Sequence, residues 1–167
     1  MRTFVDWIHS LGYAIKGAHA LRQGDDDGVI HYYTLAIETS PDDLEYYYAR
    51  GNAYWRKGEL GFAAADFTHV LALNPNDFYA HMQRSRIYRE RGYIAQAIHD
   101  LDWVLDVEDL PLAHYLRASC YAEEHDYESA ILDLDEAMKT HPHNEKVLHL
   151  REWCEHEMVL EREKAAA

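Results

Sequence analysis

The chain is poor in cysteine and in basic residues, and each shortage removes a class of protein. Only Cys120 and Cys154 are present, without paired or CxxC spacing, so neither a disulfide framework nor a zinc site is indicated and a reducing cytoplasm is expected. Sixteen basic against thirty acidic side chains leave a formal charge of -14, which opposes nucleic-acid backbones and anionic membranes as partners. No apolar run approaches membrane length. The opening MRTFVDWIHSLGYAIKGAHAL is broken by Asp6, His9 and Lys16, and it reads as neither a signal peptide nor a membrane span. Gly-rich phosphate loops and nucleophile elbows are absent, and HEMVL at His156 lacks the second histidine of a zinc protease. No enzyme activity and no cofactor are expected. The alternative of a metal site rests on His141, His143, His149, Cys154 and His156. However, His149 and His156 stand two helical turns apart and His141 with His143 sits in a turn, so no metal is expected there.

What is present is 48% hydrophobic residues, enough for a continuous core, arranged with a period. Gly17 to Gly51, Gly24 to Gly58 to Gly92, Tyr33 to Phe67, Pro41 to Pro75 and Tyr54 to Tyr88 are each 34 residues apart. A repeat of that length predicts an all-α solenoid of stacked antiparallel helix pairs. Within each unit an apolar stripe at helical spacing, a turn glycine and a second stripe describe the pair. Small residues at Ala63 and Ala97 allow close helix approach, and Tyr54, Tyr88 and Tyr121 supply the facing bulk. The third unit is one residue short, Tyr88 to Tyr121 and Ala97 to Ala130 both being 33 apart, and Pro111 replaces the missing turn proline near Asp109.

The chain then divides into an apolar helical extension (1–9), four repeats (10–43, 44–77, 78–110, 111–144), a Glu-rich capping helix (145–164) and a frayed tail (165–167). Thr3 with Asp6 resembles a capping box, so the first helix is expected to begin near Phe4 and to run to Gln23. GDDDG at 24–28 is a turn, with Asp26 or Asp27 available to cap the following helix. His125 stands where the fourth repeat should carry its turn glycine.

These residues resemble the tetratricopeptide repeat (TPR) family over Ser10 to Asn144, most specifically where Gly51 or Ser85, Tyr54 or Tyr88, Ala63 or Ala97, Phe67 or Leu101, and Pro75 stand in register. The resemblance implies a right-handed superhelix and a protein-binding function. Two departures stand out. The family's Trp is replaced by Tyr13, Tyr47, His81 and His114, and its Leu before the Gly by Lys16, Arg50, Arg84 and Arg117. Each of those arginines has an aspartate 16 residues later: Asp66, Asp100 and Asp133. A charge at an apolar place needs a partner, so a structural ion pair is expected inside each of these repeats. Lys16 has Tyr32 at that offset, and there the pairing should fail. The alternative is that the arginines bind an acidic ligand.

In the family the first helix of each pair lines the concave face, where partners lie as extended or helical segments. The resemblance places there Leu11, Ala14, Ala18 and Leu21; Glu45, Tyr48, Asn52, Trp55 and Arg56; Tyr79, Met82, Arg86, Arg89 and Glu90; and Leu112, Tyr115, Ser119 and Ala122. Tyr, Trp, Met and Arg are the types enriched at interface hot spots, and Arg56, Arg86 and Arg89 would form a positive island suited to an acidic and apolar segment of another protein. The plainer reading makes them wet surface residues, with Tyr48 and Trp55 packed on neighbours. One subclass of the family clamps a C-terminal carboxylate. Here Asn52 stands at one clamp place, but Tyr48, Gln83, Leu112 and Leu116 occupy the others, so that mechanism is not expected.

A cytoplasmic adaptor or scaffold is the leading reading. Its rival is a structural module in which Phe4, Trp7, Ile8 and Leu11 self-associate into a dimer or filament, unless that extension folds back on the first repeat.

Overall fold

Stops in the sequence cut the chain into helices. The computed structural model describes the backbone of residues 4–166 and the side chains of residues 6–166. Among the described residues the regular secondary structure is all helix, with no strand: α1 (Phe4–Gln23), α2 (Asp26–Thr39), α3 (Leu44–Arg56), α4 (Leu60–Leu73), α5 (Phe78–Glu90), α6 (Ile94–Val107), α7 (Pro111–Glu123), α8 (Tyr127–Thr140) and α9 (Glu145–Ala166). Thr3 and the Phe4 side chain lie outside the described residues.

Three hairpin turns close on a glycine in the left-handed region, with φ of 71° at Gly24, 76° at Gly58 and 75° at Gly92. The fourth uses His125 at φ 61°, held by a 2.7 Å hydrogen bond between its Nδ1 and the Tyr127 hydroxyl. Aspartates satisfy the free amides at the next helix starts. Asp43 accepts from Glu45 N, Asp77 from Ala80 N and Asp126 from Ser129 N. At α2 the cap is Asp25, which accepts from Gly28 N at 2.9 Å, and not Asp26 or Asp27. The turn read over 24–28 ends sooner, at Asp25, which leaves Asp26 and Asp27 on the first helical turn. Pro111 opens α7 at a position where its missing donor costs nothing.

The chain forms two compact units, one up to Ile87 and one from Tyr88, with the boundary inside α5. In the first unit α1 and α2 enclose Ala20, Val29, Tyr33 and Ala36, and Ala53 of α3 closes the cluster. Gly17 lets the Tyr33 ring lie against α1: a Cβ there would stand 2.7 Å from Tyr33 Cε2. In the second unit α7, α8 and α9 share a core of Ala118, Ala122, Tyr127, Ala130, Leu134, Ala137, Val147 and Cys154. There α9 lies along α8 and reaches α7, so Tyr115 packs partly against this core.

The C-terminal end differs from expectation. Ala165 and Ala166 continue α9 instead of fraying, and Ala167 lies outside the described residues. At the other end Trp7, Ile8 and Leu11 do not fold back, for α1 is one unbroken helix and all three are exposed.

Packing around the glycines predicts opposite outcomes within one helix. Gly12, whose added Cβ meets nothing within 4 Å, should gain about 0.5–1 kcal/mol on replacement by alanine. Gly17→Ala should lose about 1–2 kcal/mol, because overpacking against Tyr33 outweighs the gain in helix propensity. Urea unfolding of the two variants checks both signs. The thiols give a second test. Burial pushes the Cys120 thiol up to about 12 and raises that of Cys154, so neither should react with a disulfide reagent at pH 8 until the protein is unfolded.

Candidate functional site

A guanidinium between packed helices needs acceptors on both sides, and the structure supplies them. Arg50 on α3 donates through Nε and Nη2 to Asp66 on α4 (2.9 and 2.6 Å) and through Nη1 to Thr34 on the preceding α2 (3.1 Å). Arg117 on α7 repeats the arrangement. It donates to Asp133 on α8 at 2.8 and 2.7 Å and back to Asp102 on α6 at 2.7 Å. Arg84 lies in the first unit, where its Nη1 donates to Thr68 on α4 (3.2 Å), and Asp100 is almost fully buried in the second.

The bonded aspartate carries Arg117 above its ordinary pKa despite burial. At Arg50 burial pulls down, and the bonds to Asp66 carry the group net upward. Lys16 departs from the pattern, its ammonium lying 5.8 Å from the centroid of the Tyr32 ring. The series also extends beyond the residues singled out from the sequence. Arg151, 34 residues after Arg117, donates from α9 to Asp135 on α8 at 2.7 Å. Adding the repeat period to 117 would have found it.

The places where the family pattern has Trp do a second job. The Tyr47 hydroxyl donates to the Pro41 carbonyl (3.0 Å) and a His81 ring nitrogen meets the Pro75 carbonyl (3.1 Å). In the shortened repeat that proline is missing, and the Asp109 carboxylate takes its role against His114 Nε2 (2.8 Å) while His114 Nδ1 meets Asp133 (2.9 Å).

With the helices held this way, α3 and the first-unit part of α5 present one face. The Tyr48 ring lies 5.5 Å from that of Tyr79, edge on, and Asn52 Nδ2 donates to the Tyr79 hydroxyl at 3.3 Å. One turn on, the Arg86 guanidinium lies 4.5 Å from the centre of a Trp55 ring and bonds Gln83 Oε1 at 3.2 Å. Met82 lies between them on α5, partly buried. Burial and a hydrogen bond to Asp77 raise the Tyr48 hydroxyl, keeping it protonated as a donor. The face offers apolar ring area, amide donors and one cation.

Other residues assigned to this surface stand elsewhere. Arg56 is neutralised by Asp26 on α2, with Nε to Oδ1 at 2.9 Å, and the neighbouring Lys57 pairs with Asp27. Arg89 lies 3.6 Å from Glu123 in the second unit. The positive island therefore reduces to Arg86, for which no carboxylate partner occurs among the described residues. Ser119 is buried and its hydroxyl donates to the Tyr115 carbonyl of its own helix at 2.8 Å, which leaves it out of a partner's reach. Tyr115 borders a cleft of about 540 Å³ completed by Lys146, His149, Leu150 and Trp153; of these the sequence reading singled out only His149, and that as a metal candidate. Among the described residues no three His, Cys, Asp or Glu side chains gather as a metal would require, and no helix is long and apolar enough to cross a membrane.

A family model described as tetratricopeptide repeat matches residues 44–77, and a second with the same description matches residues 82–145. The tetratricopeptide repeat and J domain-containing co-chaperone DNJ1 of Cryptococcus neoformans is 29% identical over 164 residues, which cover 90% of this chain and 31% of that protein. Human tetratricopeptide repeat protein 13 is 25% identical over 135 residues, 78% of this chain and 15% of that one. The chain thus spans less than a third of either relative. Among solved structures, MamA from residue 41 to its end, from Desulfovibrio magneticus RS-1, gives a TM-score of 0.85 at 21% identity, covering 95% of this chain and 90% of that one. A further MamA crystal structure gives 0.84 at 17% identity, covering 95% and 87%. At such identity the likeness is one of fold.

The buried pair yields a prediction with a built-in control. Asp66→Ala leaves Arg50 buried without its carboxylate and should cost about 3–5 kcal/mol, whereas Arg50→Met with Asp66→Leu together should cost far less than the sum of the single changes. A double-mutant cycle by urea unfolding measures the coupling.

Proposed function

The chain belongs to the tetratricopeptide repeat family, whose repeats serve as protein-interaction scaffolds, and from that premise we propose that it is an adaptor holding a segment of another protein against the α3 and α5 face. Arg86 over Trp55 carries the reading. On a body of net charge -14, a cation without a carboxylate partner among the described residues, stacked on an aromatic ring and flanked by Tyr48, Asn52, Tyr79 and Met82, favours an acidic segment with apolar anchors. Extended peptides and helices both fit such a face. The two buried free thiols support a reducing, cytoplasmic setting. The fold is typically non-catalytic, and no catalytic role is proposed.

A second reading, self-association through the start of α1, draws on the exposure of Trp7, Ile8 and Leu11. Light scattering separates the two. Self-association requires a mass above the monomer that falls when Trp7→Ser and Leu11→Asp are introduced.

For the adaptor, co-purification from the source cell followed by mass spectrometry should lose the same set of proteins with Arg86→Glu as with Trp55→Ala, at least tenfold relative to wild type. Identical captures by wild type and both variants would show that partners bind elsewhere.

A further inference from the structure

Lys16 opens the series of inter-helix cations, and among the described residues no acceptor bonds it. Arg50, Arg84, Arg117 and Arg151 each reach back to the helix before their own, to Thr34, Thr68, Asp102 and Asp135. Lys16 precedes Arg50 by 34 residues, and the same subtraction relates Tyr46, Ala49 and Ala53 of α3 to Gly12, Ile15 and His19 of α1. On α3 that face is covered, for Tyr46, Ala49 and Ala53 join the cluster built on α2. On α1 no described helix covers it. Gly12 is open, Ile15 is 61% exposed, and Lys16 and His19 face solvent.

Ile15, Lys16, His19 and Arg22, with Tyr32 beneath the ammonium, line a cleft of about 530 Å³. No carboxylate bonds Lys16, His19 or Arg22 among the described residues. Asp25 on the rim is engaged in capping α2.

We propose that this face of α1 is a docking site for an acidic amphipathic helix of another protein, lying on α1 as α2 lies on α3 and setting a carboxylate against Lys16. Charge complementarity selects an acid over a hydroxyl, since Arg22 and His19 flank the lysine and Asp102 and Asp135 fill the same place at two later interfaces. A second copy of the chain offers no free helix of the α2 kind. The helices of that kind, α2, α4, α6 and α8, are each already bonded to the helix that follows.

The probe is a labelled peptide of residues 25–40 with Thr34→Asp, stapled between positions 31 and 38, both exposed on α2. It should bind the full chain by fluorescence anisotropy, at least tenfold more weakly after Lys16→Glu, and equally well after Arg86→Glu, which alters only the α3 and α5 face. A peptide with Thr34→Lys should show the reverse preference, favouring the Lys16→Glu chain. Circular dichroism of each variant confirms folding; Lys16 is exposed and its replacement leaves the core untouched. Absence of binding, or binding indifferent to both charge changes, overturns the proposal. So does a dimer in light scattering that dissociates on Lys16→Glu, because the face would then belong to a second copy.

Discussion

A guanidinium held between helices must be met on every side or not be there at all. At Arg50 and Arg117 it is met by a bidentate carboxylate on the second helix of its own pair and by a hydroxyl or carboxylate on the helix before. One side chain therefore ties three helices. The planar fork tolerates little sliding, so the bond sets how far each pair is shifted against the previous one. Its net contribution to stability is modest once desolvation is counted, and registry is its better-attested use.

The binding face depends on this tie. Because Arg50 and its relatives occupy the interior, the aromatic and amide side chains of the first helices are turned to the other side, where Tyr48 meets Tyr79 and Trp55 meets Arg86. The remaining cations in this stretch are quenched locally, Arg56 by Asp26 and Lys57 by Asp27. In a chain of strongly acidic composition this face thus holds a stacked guanidinium beside the exposed Tyr79 ring and the half-buried Tyr48 and Trp55 rings. Such preorganisation lowers the side-chain entropy lost when a partner binds.

The helical plan was legible in the sequence because glycine, proline and small residues punctuate it at a fixed period: Gly24, Gly58 and Gly92 mark turns that only a left-handed residue closes. The offset of 16 between Arg50 and Asp66 was visible for the same reason. Less visible were contacts made across repeats. Asp26 quenches Arg56 from 30 residues away, and no local pattern announces it. The burial of Ser119, its hydroxyl turned back to its own helix, is likewise something that the resemblance to the family did not convey. Arg151 was hidden by treating α9 as a featureless cap, although its spacing from Arg117 repeats the period. The capping of α2 by Asp25 turned on a one-residue shift within three consecutive aspartates, which composition cannot resolve.

The central claim is that shared guanidinium bonds make α3 and the start of α5 a single preformed face. Native-state amide exchange of the full chain, resolved by residue, measures this most directly. Residues 44–56 and 78–87 should exchange together, through the same opening and with the same dependence on denaturant. Independent opening of the two segments, each with its own free energy, would contradict it.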